Sequence, residues 1–292
     1  MTRPDVAAFH DPNTGSVQYV VSDPATRCCA IVDPVLDYDG KSGAIATRNA
    51  DRLLAYVREN GLDLRWILDT HPHADHFSAA DYLRRQTGVK TAIGTRIVEV
   101  QKLWASLYNQ PGQKTDGSQW DRLFEDGDTF QVGSIPARVI LSPGHTLASI
   151  TYLIGDAAFV HDTLFMPDSG TARADFPGGD AERLWQSIQT ILDLPETTRL
   201  FTGHDYRPDG REALWESTVA AQKRDNINLK AHPSRDEFVA FRRRRDATLP
   251  MPRLILHALQ ININGGRLPE PEANGRRYLK VPLEAFPGVT WN

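Results

Sequence analysis

Two early runs are dominated by β-branched and aromatic residues. They are VQYVVSD (17–23) and CCAIVDP (28–34), and the polar PATR between them predicts a β-hairpin. The period then changes. In NADRLLAYVRENG (49–61), Leu53, Leu54 and Val57 form an apolar stripe at helical spacing, with Asn49 placed to cap the helix and Gly61 to end it. LRWILDT (64–70) reads as a strand, FSAADYLRR (77–85) as a helix, KTAIG (90–94) as a strand and TRIVEVQKLWASLYN (95–109) as a helix. QPGQKTDGSQWD (110–121) is polar and carries glycine, which predicts a surface excursion. Strand-like runs DTFQVG, ARVILSP, SITYLIG and AAFVHDT then fill 128–163. DAERLWQSIQTILDL (180–194) is a helix with Leu184, Ile188, Ile191 and Leu192 on one side, RLFTGHD (199–205) a strand, and REALWESTVAAQKRDNIN (211–228) a helix. Two more helices are expected at 234–247 and 252–262, before thirty residues rich in Gly, Pro and charge.

Strands in two batches, with helices between and after them, suit an α+β fold: two mixed sheets packed together with helices outside, a four-layer αββα sandwich. A length of 292 residues suffices for one large domain or two modest ones. The expected organisation is a single domain over 1–292, with 230–292 a C-terminal helical and irregular extension packed on it. The only charge run, RRRR (242–245), reads as a solvated helix face.

Composition narrows the function classes. The net charge of −4, from 33 basic and 37 acidic side chains, gives no electrostatic case for nucleic acid or an anionic membrane. No apolar run approaches the roughly 20 residues that span a bilayer, and MTRPDVAAFHDPNTG lacks the apolar core of a secretory signal. Cys28 and Cys29 are adjacent, a poor geometry for a disulfide. They read as reduced thiols, which points to the cytoplasm.

The concentrated chemistry lies in THPHADHF. His71, His73, Asp75 and His76 occupy six positions at a strand-to-helix turn, so three of the nine histidines sit together. Imidazole and carboxylate are the usual ligands of zinc and iron, and a strand end aims several of them into one space. Each later candidate also follows an apolar run: His145 in PGHT, Asp162 in VHDT and His204 in TGHD. Singly, these histidines read as turn residues and Asp162 as a helix cap. Together, in this order, they read as one metal site.

The series T-H-x-H-x-D-H, PGHT, DTLF and GHDY, spread over roughly residues 15–230, resembles the metallo-β-lactamase fold superfamily. The resemblance implies the αββα sandwich with a metal site at one edge of the sheets. It also supplies all seven ligand positions of the two-metal members: His71, His73, Asp75, His76, His145, Asp162 and His204. Two branches fit, the hydroxyacylglutathione hydrolases (glyoxalase II) and the persulfide dioxygenases. DTLFMPDSGTARADFPGGD (162–180) and RDATLPMPRLILHALQININGG (245–266) look like the second branch. That branch implies one Fe(II) per chain held by His71, His145 and Asp162. His73, Asp75, His76 and His204 would then orient ligands or hold a second metal. Arg173 and Tyr206 would be active-site residues, with glutathione persulfide and O2 as substrates, sulfite and glutathione as products, and a homodimeric assembly. Without the family, Arg173 is as readily a surface ion pair and Tyr206 a core aromatic. The hydrolase branch implies zinc or a mixed two-metal site and a thioester substrate, and a third alternative is a non-catalytic metal-dependent binding protein. Two departures stand out. Thr171, Ala172 and Ala174 flank Arg173 where some members of the dioxygenase branch carry a cysteine, and 95–125 is longer than in its shorter members.

Overall fold

The computed structural model describes residues 3–286; the last six positions of the extension expected over 230–292 lie outside the described residues. The first half runs β1 (Asp5–His10), β2 (Val17–Ser22), β3 (Cys28–Val32), β4 (Val35–Asp39), β5 (Ala44–Ala46), α1 (Arg48–Glu59), β6 (Asp63–Leu68), β7 (Phe77–Ser78), α2 (Ala80–Thr87), β8 (Thr91–Gly94), α3 (Ile97–Leu107) and β9 (Arg122–Phe124). The second runs β10 (Thr129–Val132), β11 (Ile135–Leu141), β12 (Ile150–Ile154), β13 (Ala157–His161), α4 (Ala181–Leu192), β14 (Arg199–Thr202), β15 (Glu216–Thr218), α5 (Val219–Asp225), α6 (Ile227–Ala231), α7 (Arg235–Asp246) and α8 (Ile255–Asn262).

Two six-stranded sheets result, in the orders β1-β2-β3-β6-β8-β9 and β10-β11-β12-β13-β14-β15, with a small β5-β4-β7 sheet beside them. Both large sheets are mixed. β3, β6, β8 and β9 run parallel, as do β13 and β14, and the other neighbours are antiparallel. Strand alternation explains the layering. Tyr19, Val21, Val32 and Leu68 of the first sheet meet Val139, Tyr152, Phe159 and Phe201 of the second in the central core. The intervening residues face outward. Val20, Ile31 and Ile67 pack under Leu53 of α1 and Leu83 of α2, while Ala158, Val160 and Leu200 pack under Ile188 of α4 and Phe238 of α7. The expected four-layer αββα arrangement is therefore present.

Several expectations need correction. The helix read over 211–228 is interrupted. Glu216 pairs with Phe201 in β15, Thr218 caps α5, and Asn226, in extended conformation, caps α6 by accepting from Asn228 and Leu229 amides. The demand for another strand at the sheet edge, and two strong N-caps, override the helical spacing. Asn49 does not cap α1; Thr47 holds that position, and the Asn49 amide donates to Asp37 Oδ1 at 2.8 Å. The excursion 110–121 is not all surface, since Gly117 and Trp120 are buried. In RRRR, Arg242 is 4% exposed and ion-paired, and only Arg243, Arg244 and Arg245 are exposed. Among the described residues, no helix is long and apolar enough to cross a membrane.

Candidate metal centre

Every candidate ligand lies just past the end of a strand, or past a strand by one tight turn. The segment 69–76 leaves β6, Ser142–His145 leaves β11, Asp162 directly follows β13 and His204 follows β14. The sheets are stitched together at this edge. Ile150 N donates to Thr70 O (3.1 Å), Val17 N to Gly203 O (2.8 Å) and the Tyr152 hydroxyl to Asp69 O (3.0 Å). Ligands borne by separate sheets thus share one space.

His71, His145 and Asp162 offer ligand atoms that all lie within 4.8 Å of one another, and so do His73, Asp75 and His76. His71 Nε2 is 3.9 Å and His145 Nε2 3.6 Å from Asp162 Oδ2. The surrounding hydrogen bonds select these nitrogens. Thr70 Oγ1 donates to Asp33 Oδ2 (2.8 Å), so toward His71 Nδ1, at 3.0 Å, it acts as acceptor. His145 Nδ1 donates to the backbone carbonyl of Arg173 at 2.9 Å. In both rings the proton is held on Nδ1 and the Nε2 lone pair is left for a metal. His71 Nε2 and His76 Nε2 are buried with no hydrogen-bond partner. An orphaned buried acceptor is costly, and a metal ion answers that cost, so the donor set fits one.

His204 behaves differently. Its Nδ1 lies 2.6 Å from Asp162 Oδ1 and its Nε2 2.8 Å from Asp75 Oδ2. Burial opposes charge on this ring, but Asp162 and Asp75 together raise its pKa well above the usual imidazole value. Burial works upward on Asp162 as well, yet His204 beside it holds the carboxyl at about 2. Burial, reinforced by the neighbouring His73, lowers the His71 pKa well below the ordinary value, so at neutral pH this ring is in the metal-binding form.

A cavity of about 720 Å³ opens onto Asp75, His145 and Asp162. Arg173 and Tyr206 both line it. Tyr206 is 62% exposed, and its ring stacks on His204 with centroids 5.5 Å apart. The Arg173 guanidinium is already engaged, by Asp175 at 2.6 and 2.8 Å and by the Pro250 carbonyl at 2.7 Å. Arg245 and Arg253 line the same cavity and form no ion pair among the described residues.

Sequence reasoning missed the residues that support the ligands. Asp33 accepts from the Thr70 amide (2.7 Å) and faces His73 Nε2 at 3.2 Å. Its signal was present, an acidic residue ending the apolar run CCAIVDP in a strand parallel to β6. Ser16 Oγ donates to Asp75 Oδ2 at 2.9 Å. His161, also missed, is buried beside His71 and bonds Ser142 and Thr163 hydroxyls, both at 3.0 Å. Asn262 gave no signal. Nearly two hundred residues downstream, its Nδ2 donates to the carbonyls of His73 and His76, each at 2.7 Å, and its Oδ1 accepts from Ser78 N at 2.8 Å.

Two mixed sheets, outer helices and a His/Asp cluster able to hold metal at the sheet edge define an αββα protein with a candidate metal centre. The chain belongs to the metallo-β-lactamase superfamily, whose family model matches residues 11–204. It is 66% identical to a β-lactamase hydrolase-like protein of Xylella fastidiosa over 288 residues, 99% of this chain and 67% of that one. It is 46% identical to glyoxylase B2 of Dictyostelium discoideum, covering 95% of this chain and 96% of that one. Against the mitochondrial persulfide dioxygenase ETHE1 of Bos taurus, identity is 29% over 88% of this chain and 86% of that one. Among solved structures, ETHE1 from Myxococcus xanthus superposes with a TM-score of 0.72 at 30% identity, over 90% of this chain and all of that one.

Proposed function

We propose that the chain is an iron-dependent persulfide dioxygenase acting on glutathione persulfide. One observation carries this reading: His71, His145 and Asp162 converge within 4.8 Å, with both imidazoles fixed by their Nδ1 bonds to present Nε2. Two imidazoles and one carboxylate on one face are the ligand set of non-haem Fe(II) oxygenases. The likeness to the Myxococcus xanthus and Bos taurus proteins supports the same choice.

When bound, Fe(II) would supply the one-electron chemistry that lets spin-paired sulfur react with O2. Overall, glutathione persulfide, O2 and water give glutathione and sulfite. The chain's own residues bind and orient. Phe165, Phe176, Leu249 and Met251 line the cavity with apolar surface that excludes water. Among the described residues that line the cavity, Arg245 and Arg253 are the cations without an ion pair and would meet substrate carboxylates, and Arg173 can do so by sharing its fork with Asp175. Tyr206 lines the cavity, and its hydroxyl would donate to substrate. His204, between Asp75 and Asp162, holds a proton at Nε2.

A second reading is a two-metal thioester hydrolase. It draws on the His73–Asp75–His76 group and on the likeness to glyoxylase B2. One experiment separates them: metal analysis and oxygen uptake on the same iron-grown sample, with glutathione persulfide and then an acylglutathione thioester. One iron per chain and one O2 consumed per sulfite formed is the expected result. Two metals per chain, thioester cleavage and no oxygen uptake would overturn it in favour of the hydrolase.

A further inference from the structure

The loop 171–174 passes beneath His145, and the Arg173 carbonyl fixes that ring by accepting from Nδ1 at 2.9 Å. This carbonyl has no regular secondary structure to hold it. Its neighbours on both sides are held instead by two side chains of α7. Arg242 Nη1 donates to the carbonyls of Thr171 (2.9 Å) and Ala172 (3.1 Å) and to Thr171 Oγ1 (3.2 Å). Asp246 Oδ2 accepts from the Ala174 amide at 2.9 Å, and Asp246 Oδ1 binds Arg242 Nη2 at 2.6 Å. Arg242 is 4% and Asp246 2% exposed. The pair therefore grips the peptide before Arg173 and the peptide after it, and the Arg173 carbonyl, between them, is aimed at His145.

We infer that Arg242 and Asp246 are positioning residues for the metal centre, acting through the 171–174 backbone to fix the tautomer and angle of His145. Neither belongs to the ligand groups; Arg242 lines the cavity beside the 171–174 loop and Asp246 does not. The bidentate fork is what the task requires. One planar group must serve two carbonyls and a carboxylate at once, which an ammonium cannot do. A charged pair buried only for stability could be replaced by apolar residues of similar volume at little cost. This pair has a second job that such a replacement would lose. The inference rests on the metal-centre reading alone, and its test needs no substrate.

The test is the double variant Arg242→Met/Asp246→Leu, which removes both charges and leaves no lone buried ion. Its zinc and iron dissociation constants are measured by chelator competition, beside circular dichroism and thermal melting of the metal-free protein. The expected result is a folded protein whose metal affinity falls roughly 10- to 100-fold, the usual cost of losing a partner that orients a metal-bound histidine. Arg242→Lys keeps the pair with Asp246 but not both carbonyl bonds, and is expected to lose affinity severalfold; it decides the matter if the double variant does not fold. Arg243→Ala, an exposed neighbour paired with Glu182, should leave affinity unchanged. Wild-type affinity in the folded double variant, or in Arg242→Lys should the double variant not fold, would overturn the inference. Absence of dioxygenase activity in the wild-type protein would overturn only the proposed reaction.

Discussion

Thr70→Val removes one oxygen from a fully buried position and replaces it with a methyl group of similar size. Thr70 Oγ1 is the acceptor for His71 Nδ1, at 3.0 Å, and is itself anchored on Asp33 Oδ2. Without it, the His71 Nδ1 proton has no partner in a site where the ring is 1% exposed. In the metal-free protein the ring escapes by moving the proton to Nε2. The metal-bound protein has no such escape, because Nε2 must carry the lone pair. Leaving a buried donor unsatisfied costs about 1–3 kcal/mol, and that cost falls almost wholly on the bound state. At 1.36 kcal/mol per decade it converts to a loss of roughly 5- to 150-fold in metal affinity. The Thr70 amide keeps its bond to Asp33 Oδ1, so the turn itself stays. Chelator competition at fixed pH measures the loss, and Thr70→Ser, which restores the oxygen, should bind within a few-fold of wild type. A folded Thr70→Val protein with wild-type affinity would refute the claim that this hydroxyl sets the tautomer.

Alanine in place of His71, His145 or Asp162 is expected to drop bound metal well below one equivalent per chain, measured by elemental analysis; a variant that keeps stoichiometric metal removes that residue from the ligand set. Arg173→Ala should lower kcat/KM for glutathione persulfide roughly ten- to a hundredfold while metal content holds, since the backbone carbonyl that orients His145 survives; steady-state oxygen uptake with unchanged kcat/KM would make Arg173 a structural ion pair only. Asp23 accepts from the Ser134 hydroxyl and amide (both 2.7 Å), Thr26 Oγ1 (2.8 Å) and the Ala25 amide (2.9 Å), with the Ser134 hydroxyl foremost in holding its carboxyl below the usual range. A depressed folded-state pKa stabilises above the unfolded value of about 3.9 and is lost as pH falls through and below it. Urea unfolding of metal-free Asp23→Asn should therefore show a deficit of about 1–3 kcal/mol at pH 7 that shrinks below pH 4; a deficit constant from pH 7 to 3 would sink this account. Gly144 has φ +137°, and a Cβ there would sit 2.3 Å from Leu184 Cα, so Gly144→Ala should cost roughly 1–3 kcal/mol or more in thermal melting, and an unshifted Tm would contradict the contact.

Local patterns carried most of the sandwich. VQYVVSD is apolar nearly throughout because both faces of β2 are covered, ARVILSP alternates at its start because Pro136 and Arg138 of β11 face outward, and α4 shows its buried Leu184, Ile188 and Ile191 at plain helical spacing. The ligands were legible for a similar reason, since each sits one step past a hydrophobic run. What stayed hidden depends on distance. β9 is three residues long and exists through its pairing with β8; nothing in RLF announces it. Trp120 looked like part of a polar loop, yet its indole donates to Asp69 Oδ2 at 3.1 Å beneath the ligand turn. Arg242 differs from Arg243, Arg244 and Arg245 only in its angle on α7, which no charge count reveals.

Asn262 closes the turn that carries His73, Asp75 and His76 with three bonds, reaching back 184 to 189 residues. Such contacts form late, because the chain between them must first be ordered. During synthesis, all seven candidate ligands leave the ribosome well before the helix that bears Asn262. A nascent chain therefore displays its histidines and carboxylates as a loose set, able to catch metal but not to hold it in shape. Tight metal uptake becomes a signal that α8 has docked, and a chain cut before residue 262 would keep every candidate ligand and lose the frame that makes them a site.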